Sequence, residues 1–254
     1  MKNYVRNGFV SLGIIGASIF GISGCGGATD ESNLRDVYDV KSLTEVINFE
    51  GKATEFVIDT SGSMDERVEG ERKIDSAINA SVGVFGDYED YSKDHDVMTG
   101  VLYMPNGNVE KLVPMDKFNR EKLELKIKDL KTSEGTPLGI ALAYAERELD
   151  KTGYRSKNIV LLTDGANTVG KNPVEVYKGI IEENVRNPND VPTNLYIIAF
   201  DVNPYTFNGL KELGATVYSA KDGKQLADVL KENTELILEA PLPDGYKPIE
   251  LKQN

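Results

Sequence analysis

Cysteine and histidine are nearly missing from this chain: its 254 residues carry one of each, Cys25 and His95. A lone cysteine excludes a disulfide framework, which exported proteins that use disulfides build from several. A lone histidine leaves little for a hydrolase triad. It lies in the acidic stretch YSKDHD, residues 91–96, where a solvated loop residue is expected. Basic residues are scarce too, 29 Lys plus Arg against 41 Asp plus Glu, for a net charge of −12. Such a surface repels phosphate backbones, so nucleic acid is not an expected partner. Nor does it favour lying flat on anionic lipid. What remains is ordinary: 40% apolar and 28% charged residues, enough for a globular core in one large domain or two small ones.

The first residues stand apart from that core. MKNYVRN carries Lys2 and Arg6 and no acid, and an apolar, small-residue run follows over 8–24. The run is shorter than the ~20 residues of a spanning helix and has the layout of a secretory signal. It leads into Ile22-Ser23-Gly24-Cys25-Gly26, which resembles the bacterial lipobox. That resemblance implies that residues 1–24 are a signal peptide and that Cys25 becomes the acylated N-terminus. Losing Lys2 and Arg6 takes the charge from −12 to −14, so the acyl chains must do the anchoring. Residues 26–32, GGATDES, read as a flexible tether, and 33–49 carry a weak helical spacing.

From Lys52 onward, strand-like and helix-like segments alternate. Strands are expected at 53–59, 96–104, 108–115, 158–164, 194–202 and 216–220. Helices are expected at 72–88, 120–130, 138–150, 173–186, 207–214 and 223–240. Pro105-Asn106-Gly107-Asn108 reads as the turn of a hairpin, and Pro137 is expected at the first position of a helix. Nearly continuous apolar strands separated by helices imply a parallel sheet covered on both faces. The expected fold is therefore α/β, a doubly wound, mostly parallel sheet with one antiparallel edge strand. It should span 52–240, behind a tether at 25–51 and ahead of an extended tail at 241–254.

Ligands of such sheets bind beyond the carboxyl ends of the strands, where strand order reverses. Two strands end in aspartate, FVID at Asp59 and NIVLLTD at Asp164, and would meet there if they are neighbours. Ser61 and Ser63 follow Asp59, and Thr136 sits in a break before a helix. DTSGS, GTPLG and LLTDG in this order resemble the metal-ion-dependent adhesion site of the von Willebrand factor type A domain family. The resemblance covers about 52–240 and implies the Rossmann-like fold of that family. It further implies that Asp59, Ser61, Ser63, Thr136 and Asp164 hold a divalent cation, with one position open to an Asp or Glu of a protein partner. Oxygen donors suit Mg²⁺ best, with Mn²⁺ or Ca²⁺ also compatible, rather than Zn²⁺.

Rival motifs are weaker. Asp-Thr-Ser-Gly is near an aspartic protease motif, but Ser61 intrudes and the element pattern is α/β. Gly165 to Asn172, GANTVGKN, nearly matches a phosphate loop, but Asn172 stands where a hydroxyl is needed; a plain loop before a helix is expected. The acidic run 64–71, MDERVEGE, reads as a solvated loop bordering the site, and Tyr205 and Phe207 as rim or packing residues. The expectation is thus a non-enzymatic, extracytoplasmic lipoprotein that binds a protein partner through a cation and a membrane through Cys25. Gly26 lacks the Asp that often signals inner-membrane retention, so an outer membrane is favoured if the cell has one. The alternatives are a metal-independent assembly component of the envelope and a metal-assisted hydrolase.

Overall fold

Six strands form one sheet in the order β5-β4-β1-β6-β7-β8 in the computed structural model, which describes residues 49–186 and 191–242. The expected signal peptide, Cys25, most of the tether and most of the tail lie outside the described residues. Strand β1 (Phe49–Ile58) is central, and it starts ahead of the boundary expected at Lys52. It pairs in parallel with β4 (Val97–Tyr103) on one side and β6 (Tyr154–Thr163) on the other. Beyond β6 come β7 (Thr193–Phe200) and β8 (Thr216–Ala220), also parallel. The one antiparallel member is the edge strand β5 (Glu110–Lys117). Pro114 explains its place: a residue without an N–H is tolerated at an edge and not in the middle of a sheet. The hairpin between β4 and β5 closes as expected, with Asn108 N–H donating to Pro105 O at 2.9 Å.

Side-chain alternation divides the core into two layers. Phe56 and Ile58 of β1, Val160 and Leu162 of β6, and Ile198 and Phe200 of β7 face one side. There they meet α1 (Lys73–Ser92), α2 (Arg120–Ile127) and α6 (Gly223–Glu239) through Ile74, Phe85, Leu123, Leu226 and Leu230. Ala53, Val57, Ile159, Leu161 and Ile197 face the other side, against α3 (Leu138–Asp150), α4 (Pro173–Arg186) and α5 (Asn208–Glu212). A strand covered on both faces needs apolar residues at every position, which is why these strands read as continuous runs. Each large side chain so buried contributes roughly 1.5–3 kcal/mol.

Two local expectations are corrected. Pro137 is the N-cap of α3, not its first helical residue; its carbonyl accepts from Ala141 N–H at 2.9 Å, so the ring sits outside the helical ladder. The acidic run 64–71 is not merely a solvated loop. It forms a 3-10 turn at Gly62–Asp65 and a two-stranded ribbon of β2 (Arg67–Val68) and β3 (Glu71–Arg72). Met64 anchors it, fully buried in the core.

Candidate functional site

The chain runs from β1 to β4 on one side of the sheet and then crosses to β6 on the other, so strand order reverses between β1 and β6. The crevice at this point is where α/β sheets hold ligands. The register pairs Ile58 with Leu162, and Asp59 N–H continues the ladder to Leu162 O at 2.9 Å. Asp59 is thus level with Thr163, and Asp164 follows one residue beyond at the same end of the sheet.

Four of the five expected site residues are joined there by hydrogen bonds. Ser61 N–H donates to Asp59 Oδ1 at 2.8 Å. The Ser61 and Ser63 hydroxyls lie 3.2 Å apart, and Ser63 donates to Asp164 Oδ1 at 2.7 Å. Asp59, Ser61 and Asp164 are buried and Ser63 is half-buried. The fifth, Thr136, is buried in the loop before α3, and that loop is tied to both aspartate loops. Ser133 N–H donates to Thr60 O at 2.7 Å. Thr136 N–H donates to Thr168 Oγ1 at 2.8 Å, and Thr168 N–H returns to Thr136 O at 2.9 Å. The Gly165–Asn172 segment is thus a loop that braces Thr136. Its last residue caps α4, with Val174 N–H donating to Asn172 Oδ1 at 2.8 Å. It also packs closely on α3: a Cβ on Gly139 would stand 2.2 Å from Lys171 O, so only glycine fits.

Two residues that sequence reasoning missed join this cluster. Thr163 donates to Asp59 Oδ2 at 2.6 Å. Pairing the two Asp-ended strands in register would have found it, since Thr163 falls opposite Asp59. Lys73, the first residue of α1, places Nζ 3.1 Å from Asp164 Oδ2. It also pairs with Glu66 Oε2 and Asp201 Oδ2, each at 3.1 Å. No sequence pattern marks it, because a lysine in a first turn ordinarily faces water. Alternation along β6 explains the division: Thr163 points toward the α3 side with Asp59, and Asp164 toward the α1 side with Lys73.

The electrostatics follow. Burial lifts the Asp59 pKa above its usual range; the Thr163 hydroxyl and the N–H and hydroxyl of Ser61 oppose the rise, and the Asp164 charge adds to it. Burial would depress the Lys73 ammonium, but hydrogen bonds from it to Asp201, Asp164 and Glu66 outweigh that and hold its pKa above the ordinary lysine value. Two carboxylates and two hydroxyls linked residue to residue by these hydrogen bonds form an all-oxygen donor set, which fits a hard divalent cation. Of the other candidates, Phe207 is core and Tyr205 is 74% exposed at the same end of the sheet. His95 is exposed and stacks on Tyr91 with ring centroids 4.2 Å apart.

Residues 54–167 match the family model for the von Willebrand factor type A domain. The chain is 29% identical over 158 residues to the uncharacterized protein YwmD of Bacillus subtilis (strain 168), covering 58% of this chain and 67% of that protein. Among solved structures, the pilus adhesin SpaC of Lactobacillus rhamnosus GG superposes with a TM-score of 0.61 at 12% identity. That match covers 75% of this chain and 31% of the adhesin, so the chain spans about a third of its length. A von Willebrand factor type A structure from Catenulispora acidiphila superposes with a TM-score of 0.58 at 23% identity, covering 74% of this chain and 43% of that one. At these identities the structural likeness is one of fold. The mostly parallel six-stranded sheet with helices on both faces is the von Willebrand factor type A fold, and with the family-model match over 54–167 it supports a domain of that type in this chain.

Proposed function

We propose that this protein is a lipid-anchored, extracytoplasmic von Willebrand factor type A domain that binds a protein partner through a divalent cation, Mg²⁺ foremost. The observation that carries the reading is the joining of Asp59, Ser61, Ser63 and Asp164 at the strand-order reversal, with hydroxyl oxygens 3.2 Å apart and Asp164 Oδ1 2.7 Å from Ser63. Ser61, Ser63 and Thr136 would hold the ion with Asp164. Asp59, whose two oxygens already accept from Ser61 and Thr163, would act chiefly from behind that shell. Bound there, the ion supplies a positive charge for an Asp or Glu of the partner. Neutral hydroxyl ligands leave more of that charge exposed than carboxylates would. The fold likeness to a pilus adhesin agrees with an adhesive role, and the reading assigns no catalysis.

Capture of envelope proteins in Mg²⁺ against EDTA tests the partner. Calorimetry tests the site: Asp59→Ala or Asp164→Ala should abolish Mg²⁺ binding, and Ser63→Ala should weaken it. Equal affinity in the wild type and Asp59→Ala would refute the assignment. A second reading, an envelope assembly component that uses no metal, draws on one observation: an ammonium, Lys73, already sits on Asp164.

A further inference from the structure

Lys73 is surrounded by carboxylates from three separate loops. Glu66 comes from the loop after β1, Asp164 from the end of β6 and Asp201 from the end of β7. Its own N–H donates to Glu66 O at 2.9 Å, which fixes the start of α1 against the first of these loops. Exposure separates the three pairs. Glu66 and Asp201 are 69% and 44% exposed, so water screens them. The Asp164 and Lys73 side chains are 0% and 5% exposed, and this pair is the one that burial strengthens. Asp164 is thereby shared: Oδ1 faces Ser63 and the expected ion ligands, and Oδ2 faces the ammonium.

We propose that Lys73 is the resident cation of this site. Its ammonium compensates Asp164 and ties the three loops together, so the site is assembled before any metal arrives. Its charge also sets how tightly a divalent cation is held. The inference rests on the cation reading above and assigns the site's affinity to a residue outside the five expected ligands. Two consequences follow from charge alone. Within the same crevice, an ammonium repels an incoming divalent cation and weakens its binding. It also cancels part of the carboxylate charge around that cation, so an acidic partner meets a more positive site. Removing the ammonium leaves a buried carboxylate uncompensated, which burdens the metal-free protein most and makes the metal more valuable to it.

The test compares the full chain, purified in detergent, with Lys73→Met, which keeps the length and loses the charge, and Lys73→Arg, which keeps the charge. In EDTA, Lys73→Met should melt several degrees below the wild type, and Lys73→Arg should recover much of the loss. In calorimetry with Mg²⁺ alone, Lys73→Met should bind about tenfold more tightly than the wild type, with a larger Mg²⁺-induced rise in melting temperature. Lys73→Arg should keep the weaker, wild-type affinity. If Lys73→Met does not fold, Lys73→Gln takes its place in the same titration. Tighter binding by the uncharged variant, including binding where the wild type shows none, supports the resident cation; in the latter case it overturns the cation-dependent function of the native chain. Equal or weaker binding by the uncharged variant, with Asp59→Ala abolishing wild-type binding, overturns the role of Lys73 and leaves the cation reading intact. No Mg²⁺ binding by any form overturns both.

Discussion

Thr163 donates its hydroxyl to Asp59 Oδ2 at 2.6 Å, across 104 residues of sequence. Asp59 is fully buried, so this donor is not replaced by water when lost. Thr163→Val should cost about 1–3 kcal/mol, the penalty of an orphaned buried acceptor. The pH dependence has a sign. The Asp59 pKa is raised in the fold, so its contribution to stability is full below the unfolded aspartate value and is lost as pH rises through the folded one. Thr163 opposes that rise, and without it the folded pKa climbs further. Urea unfolding should therefore show a larger loss at pH 7 than at pH 4. Equal losses at both would mean that the hydroxyl does not act on the charged form.

Glu55 lies in the central strand with both carboxyl oxygens buried and without a hydrogen-bond partner. Burial drives its pKa well above the usual range, the Glu148 charge adds to this, and Lys111 and Lys151 oppose it. A raised folded pKa gives stability that is present below the unfolded glutamate value of about 4.3 and lost as pH rises through the folded value. Glu55→Gln should accordingly stabilise the domain at neutral pH and change little near pH 3. A gain that does not vary with pH would argue against an acid held neutral.

The same carboxyl explains Gly100 on the neighbouring strand. A Cβ there would stand 2.5 Å from Glu55 Oε2 and 2.7 Å from Oε1. Gly100→Ala should destabilise by about 1–3 kcal/mol, the cost of overpacking. In a Glu55→Ala background the same change should cost less, because the clashing atoms are gone. Additive losses in that double-mutant cycle would count against the contact.

The fold should not depend on a metal for its integrity. Two apolar layers flank the sheet, and Lys73 already compensates Asp164. EDTA should leave far-UV helical signal unchanged at room temperature and lower the melting temperature only modestly. Binding adds about 2.7 kcal/mol at a hundredfold excess of cation over Kd. Collapse of the helical signal on chelation would contradict this.

Cys25 follows an apolar run in Ile22-Ser23-Gly24-Cys25. Cys25→Ala should release the protein from membranes or leave an unprocessed precursor. Unchanged processing and detergent partitioning in that variant would remove the case for a lipid anchor.

Much of the fold was legible because burial on both faces writes itself into composition. The apolar runs ending at Asp59 and Asp164, the helical spacings between them and the turn at 105–108 pointed to a parallel sheet with an antiparallel edge. The clustering of the strand-end oxygens was legible for a different reason. Asp59, Ser61 and Ser63 lie within five residues of one another, so a single loop can present them together. Their meeting with Asp164 needed only that two strands be neighbours.

Tertiary structure alone decided what surrounds them. Thr163 and Lys73 lie 104 and 91 residues from the aspartates they touch. Thr163 reaches Asp59 because the register of β1 against β6 sets them side by side. Lys73 reaches Asp164 because alternation turns that aspartate toward the face where α1 begins. Glu55 and Met64 are buried where their residue type and acidic neighbours would place them in water. The sequence by itself determined which residues are apolar, which loops are short and which oxygens a strand end carries. Register, side-chain direction and helix approach decided which charges those oxygens meet, since each depends on segments that are distant in the chain and adjacent only once the sheet has formed.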